Sequence, residues 1–294
     1  MKKLFNLHTH TKFSDGSDAP EKYAEEAIRQ GFHTLGFSDH SPVPFTNNFA
    51  IEDTKEALED YINTIIVMKS AHTFPQPPRQ EGTGSELQIL LGLEVDYIPR
   101  ITAPVSGYRE KYPFDYMIGS VHLVKKDQTD ELWFIDGPNM EIYDDGLKNI
   151  FGGDIKKAVT SYYHQINEMV TNEKPDIVGH LDKIRMYNRN RYFREEDEWY
   201  VALVDETLGL IKDSGCIVEV NTRGLYKKRS DSLFPGPAIL KKIHALGIPI
   251  TLSSDAHKPH EISLFFEETQ KLLAEIGFKH LHLKTESGWE EVTI

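Results

Sequence analysis

The chain has 294 residues, 39% hydrophobic and 27% charged, which suffices for one large α/β barrel or two ordinary domains of soluble, globular character. Its 46 acidic and 33 basic residues give a formal net charge of −13, which argues against binding nucleic acid through the general surface but not against a small phosphorylated substrate. No apolar run approaches the roughly 20 residues needed to span a bilayer, so no membrane segment is expected.

The first predicted strand is LFNLH (4–8). The N-terminus has two lysines but no apolar h-region, so it does not read as a signal peptide. A helix follows from Pro20 through YAEEAIRQ to Gly31, with Pro at its first turn and Gly past its end. Next come the strand TLGFS (34–38), a helix over Ile51–Ala71 and a Pro-, Gly- and Gln-rich stretch, Thr73–Ser85, expected as a surface loop. Strands LQILLGLEV (87–95) and YMIGSVH (116–122) precede a long connection from His122 to Gly153. Connections this long are usually functional or disordered. Trp133, Phe134, Asp136 and Gly137 point here to an ordered loop over a site.

The second half continues with a helix over Asp154–Asn172, the strand DIVGH (176–180) and a helix over Glu195–Ser214. CIVEVN (216–221), a helix over Gly236–Leu246, PITLSS (249–254) and a helix over Glu261–Ile276 follow, and the alternating tail with its Ser-Gly turn reads as a β-hairpin. The lone Cys216 permits no intrachain disulfide and reads as a small buried hydrophobe, in keeping with a cytoplasmic protein. Most strands lack polar alternation, as parallel strands covered on both faces do. Repeated βα units with about seven strands favour an α/β fold closed like a barrel, one domain over 1–294.

The chemistry-bearing residues gather at the strand ends. Strand one ends in His8-Thr9-His10, whose period of two puts both imidazoles on one side. Asp15 follows in FSDGS, and His40, Glu94, His122, His180, Asp255 and His257 stand at or just beyond later strand ends. Parallel strands deliver all of these to one face. Nine nitrogen and oxygen ligands exceed what one ion needs, so two or three divalent ions are implied, and the absence of a thiolate suits Zn, Mn or Fe. The other seven histidines, His33, His72, His164, His244, His260, His280 and His282, fall in helices, helix ends or the tail. Asp39, Asp96 and Asp182 stand beside ligands and are candidates to orient an imidazole. Arg185 and Arg223 are the best-placed phosphate-binding candidates, with Lys227, Arg189 and Arg191 weaker.

The ordered set HTHTKFSDGS, GFSDH, GLEVDY, GSVH, VGHLD and SSDAH resembles the motifs of the PHP (polymerase and histidinol phosphatase) family from about His8 to His257. The resemblance implies a distorted seven-stranded (β/α) barrel, TIM-like, with a trinuclear metal centre. It implies His8, His10, Glu94 and Asp255 as ligands of one ion, Glu94, His122 and His180 of a second, and Asp15, His40 and His257 of a third. Some members carry His where this chain has Asp15. WFIDG, GGDIKKAVTSYY and VEVNTRGLYKK are most similar to the histidinol-phosphate phosphatases. The implied activity is phosphomonoester hydrolysis, with attack on phosphorus by a hydroxide bridging the metals and with His8, His10, Glu94, Asp255 and His257 at the catalytic centre. The amino end of the implied substrate, histidinol phosphate, is cationic, and Asp136, Asp144 and Asp145 are candidates to attract it. The alternatives are another phosphoesterase of this family (a general phosphatase, nucleotidase or exonuclease) and a non-catalytic metal-binding module. The oligomeric state is left open.

Overall fold

The hydrophobic runs become short strands buried on both faces. In the computed structural model, which describes residues 3–70, 87–127 and 129–294, these are β1 (Phe5–Asn6), β2 (Thr34–Phe37), β3 (Gln88–Asp96) and β4 (Tyr116–Ser120). A side hairpin, β5 (Leu123–Lys125) with β6 (Leu132–Phe134), precedes β7 (Ile177–Val178), β8 (Ile217–Asn221) and β9 (Ile250–Ser253). Every residue of β2, β4, β8 and β9 is buried. The surface loop expected over 73–85 lies outside the described residues.

The main sheet has the order β1-β2-β3-β4-β7-β8-β9, and each neighbouring pair is parallel. It curls until its two edges meet. A parallel bridge joins Thr9 to Ala256, with His10 N donating to Ala256 O at 2.8 Å and Ala256 N to His8 O at 3.1 Å. The seven-stranded barrel is thus closed through the residues just beyond β1 and β9.

Tyr116 on β4 fills much of the interior. Its hydroxyl donates to Leu7 O at 2.5 Å, and a Cβ at Gly36 or Gly92 would lie 2.2 or 2.3 Å from this side chain. Glycines on the two preceding strands therefore leave the volume the ring occupies.

Helices α1 (Pro20–Gln30) and α2 (Lys55–Ser70) cover the early strands. Gly31 ends α1 at φ 76°, a left-handed conformation that favours glycine. α2 starts four residues later than its apolar pattern implied, because the Thr54 hydroxyl accepts from Ala57 N at 3.1 Å and sets the cap there. A short helix, α3 (Val105–Lys111), was not anticipated.

The long connection after β4 is largely regular structure rather than loop. It holds the β5–β6 hairpin and α4 (Met140–Phe151). Trp133, fully buried, anchors it: its indole nitrogen donates to Tyr143 O at 3.0 Å, and its ring packs on Tyr143 and Phe151. Asn139 caps α4 by accepting from Ile142 N.

Then come α5 (Ile155–Glu168), continued by a π turn over Met169–Glu173, α6 (Glu198–Ser214), the short α7 (Arg223–Tyr226), α8 (Pro237–Leu246) and α9 (Phe266–Ile276). α6 and α9 begin later than predicted because Glu195 and Glu261 are held elsewhere, by Arg185 and by Lys227 with His257 N. The tail forms the expected hairpin, β10 (His280–Thr285) with β11 (Gly288–Thr293). No described helix is long and apolar enough to cross a membrane.

Candidate metal centre

The seven strands run the same way, so the residues that follow them meet at one end of the barrel. Glu94, on β3 inside an apolar run, lies at the middle of the cluster. One carboxylate oxygen is 3.2 Å from His8 Nε2, 3.4 Å from His10 Nε2 and 3.0 Å from His40 Nδ1. The other is 3.1 Å from His180 Nε2 and 3.7 Å from His122 Nε2. Asp255 Oδ1 is 3.4 Å from His10 Nε2, and Asp15 Oδ1 is 3.0 Å from His257 Nε2. All nine expected ligands converge here, and all are buried except Asp15, which is partly exposed.

Three subsets each offer donor atoms within 4.8 Å of one another: His10, Asp15, His40 and His257; His8, His10 and Asp255; His40, Glu94 and His122. This partition shares His10 and His40 between subsets. It leaves out His180, although His180 Nε2 stands 3.1 Å from both His122 Nε2 and Glu94 Oε1.

The donors fit divalent cations on structural grounds. His8 Nε2, both ring nitrogens of His10, Glu94 Oε2 and His180 Nδ1 are buried without a hydrogen-bond partner. Each such atom left unsatisfied costs about 1–3 kcal/mol, a cost that a shared cation removes. His180 and Asp255 also sit at φ 23° and 53°, left-handed conformations that strain a non-glycine residue and recur at functional sites.

The charges are strongly coupled. Burial pushes the Glu94 carboxyl upward, but His8, His40 and His122 outweigh it and hold it well below the usual carboxylate range. Burial, then the neighbouring His257 and His40, push His10 well below the ordinary imidazole value. Burial would also lower His40, yet Glu94 and Asp96 carry it up to about 10.

Behind the donors stand carboxylates that aim them. Asp96 reaches His40 Nδ1 at 2.9 Å and also holds His122 Nδ1, which leaves the Nε2 of both rings turned toward the other donors. Asp39 instead orders the loop carrying Asp15: it accepts from Thr11 N and Ser14 N, and from both hydroxyls. Asp182 is spent on Arg185 and Gly236 N and orients no imidazole. Glu219, fully buried on β8, was missed. Its carboxylate lies 2.5 Å from His8 Nδ1 and accepts from His180 N at 2.8 Å. The signal was present, since an acid inside the apolar run CIVEV requires a partner just as Glu94 does.

The two arginines separate. Arg223 lines a cavity of about 260 Å³ above the cluster, donates to Asp255 O at 2.8 Å and lies 2.5 Å from His257 Nδ1. Arg185 does not reach that cavity. Its guanidinium is committed to Asp182 at 2.5 Å, Glu195 at 3.0 Å and the Leu233 carbonyl. The weaker candidates are also engaged elsewhere: Lys227 with Glu261, Arg191 with Asp144 and Arg189 with Lys228 O. Two further cations escaped the sequence reading. Lys183, buried in the turn after His180, pairs with Asp136 at 2.7 Å and stands 3.9 Å from Asp255. Arg229 lines the cavity 3.4 Å from Asp136. The carboxylate of Asp136 is therefore already opposed by two cations, and Asp145 is exposed.

Known proteins resemble the chain over nearly its full length. It is 28% identical to the histidinol-phosphatase of Bacillus subtilis over 275 residues, 88% of this chain and 96% of that one. The histidinol phosphate phosphatase of Lactococcus lactis, solved in complex with Zn, L-histidinol and phosphate, superposes with a TM-score of 0.68 at 22% identity, covering 98% of this chain and 99% of that one. The crystal structure of hisK from Listeria monocytogenes gives a TM-score of 0.74 at 20% identity, over 90% of this chain and 99% of the other. At these identities the two structures speak to the fold, which is the same barrel. The family model of the PHP domain matches residues 6–223, from β1 to β8, and the chain belongs to that family.

Proposed function

We propose that the chain is a metal-dependent histidinol-phosphatase, converting L-histidinol phosphate and water to L-histidinol and phosphate in histidine biosynthesis. The observation that carries this reading is the convergence of nine His, Asp and Glu donors, eight of them buried and several without hydrogen-bond partners, beneath a small cavity edged by Arg223. The near full-length similarity to proteins named histidinol-phosphatase supports the substrate.

His8, His10, Glu94 and Asp255 would hold one ion, Glu94, His122 and His180 a second, and Asp15, His40 and His257 a third, with Zn, Mn or Fe suited to the donors. When bound, such ions supply positive charge to phosphate oxygens and lower the pKa of water toward about 7. Glu219 and Asp96 hold the rings of His8, His40 and His122 in place. Arg223 offers a planar fork that matches phosphate oxygens, and Arg229 adds a second cation on the same wall. Lys183 holds Asp136, and with it the insertion that carries the cavity's outer wall, against the barrel. We read residues 1–294 as one domain of a cytoplasmic enzyme; the net charge of −13 favours a small substrate over nucleic acid.

The test is kcat/KM on L-histidinol phosphate against a panel of phosphomonoesters that includes p-nitrophenyl phosphate, with metal content assayed. A clear preference for L-histidinol phosphate is expected. A rate no better than that on p-nitrophenyl phosphate would remove the substrate assignment and leave a general phosphoesterase. Metal-loaded protein inert toward every ester would leave a binding module.

A further inference from the structure

The cavity above the donor cluster is not uniformly charged. One wall is made of two phenylalanines, Phe49 and Phe134, whose rings lie nearly parallel at 15°, with centroids 5.7 Å apart. Phe49 also meets the His40 ring edge-on at 5.5 Å. Both rings are only half-buried, although ring surface left facing water forgoes the gain of burial.

The two rings come from separate segments, and each segment leaves the barrel just beyond a candidate ligand. Phe49 lies on the connection after His40, where the Asn47 side chain accepts from Phe49 N at 3.0 Å and Ala50 N at 2.8 Å and so orders the turn. Phe134 ends β6, opposite Leu123 in a hairpin that starts immediately after His122. The aromatic wall is therefore tied at both ends to the donor cluster. It stands where the organic part of a phosphomonoester would project if its phosphate lay over the donors beside Arg223.

We infer that Phe49 and Phe134 form the leaving-group subsite, a specificity-determining wall that favours phosphomonoesters whose alcohol carries a planar ring. The inference rests on the phosphatase reading of the site and deepens it. A ring in the alcohol gains offset or edge-to-face contact with the wall, while an alkyl alcohol of the same reactivity gains little. The wall acts on binding and orientation, so its loss should raise KM more than it lowers kcat.

The experiment compares 2-phenylethyl phosphate with ethyl phosphate, which differ in the ring but share a primary alkoxide leaving group, on metal-loaded enzyme. The wild-type protein should favour the phenylethyl ester. Phe49→Leu and Phe134→Leu, which keep apolar bulk, should each reduce that preference about tenfold, chiefly by raising KM for the phenylethyl ester. Phe49→Tyr should retain the preference. A wild-type enzyme that does not distinguish the esters, or leucine variants that lose both activities in parallel, would overturn the inference. A preserved ring preference in an enzyme with no advantage on L-histidinol phosphate would uphold the wall and reject only the proposed substrate.

Discussion

Arg185 and Arg223 both follow ligand-bearing strand ends, yet their surroundings assign them different work. Arg185 is buried and bonded to two carboxylates and a carbonyl, with its guanidinium against the Phe234 ring. Removing one member of a buried charge cluster strands the others and typically costs about 3–5 kcal/mol. Arg185→Ala is therefore expected to lower the melting temperature clearly, while kcat/KM per folded molecule changes little. Arg223→Ala should do the reverse: lower kcat/KM on a phosphomonoester by an order of magnitude or more, with metal content and melting nearly preserved. Melting curves, metal analysis and steady-state kinetics on both variants check the contrast. A normally stable Arg185→Ala protein with a raised KM would reverse it.

Among the elements, β2, β3 and β4 show how short strands accommodate a large interior side chain. Tyr116 is buried to within 1% and its ring is flanked by Gly36 and Gly92. At Gly92 an added methyl would lie 2.3 Å from Tyr116 Cζ, and the ring is pinned by its bond to Leu7 O. Gly92→Ala should destabilise the fold by about 1–3 kcal/mol, the usual cost of overpacking. Denaturant titration measures this; an unchanged midpoint would mean that the ring can move aside. The same strand carries Glu94 two residues on, so the strain falls close to the donors.

The whole barrel is closed by a narrow bridge between Thr9 and Ala256, and the flanking residues on both sides are donors: His8 and His10, Asp255 and His257. Cations bound across these residues would tie the seam together. A ligand that binds only the folded state stabilises it by about 2.7 kcal/mol at a concentration 100 times its Kd. Chelation should therefore abolish activity and lower the melting temperature together, and restoring Zn or Mn should recover both. Metal-free protein that melts unchanged would show that the seam holds without ions.

Much of this molecule could be read from the chain alone. Seven apolar runs bounded by turn residues are legible as buried parallel strands, because a strand covered on both faces leaves no polar alternation. His8 and His10 at spacing two, and Glu94 within an apolar run, are legible as site residues, because local geometry sets their side and burial demands a partner for the charge. What the tertiary structure decided is which of these groups meet. The sharing of His10 and His40 between subsets, the support of His8 by Glu219, the pairing of Lys183 with Asp136 and the anchoring of Arg185 on Leu233 O and of Arg223 on Asp255 O all join residues far apart in sequence. Those meetings depend on strand register and on the stagger that closes the barrel, and neither is written in the periodicity of any one segment.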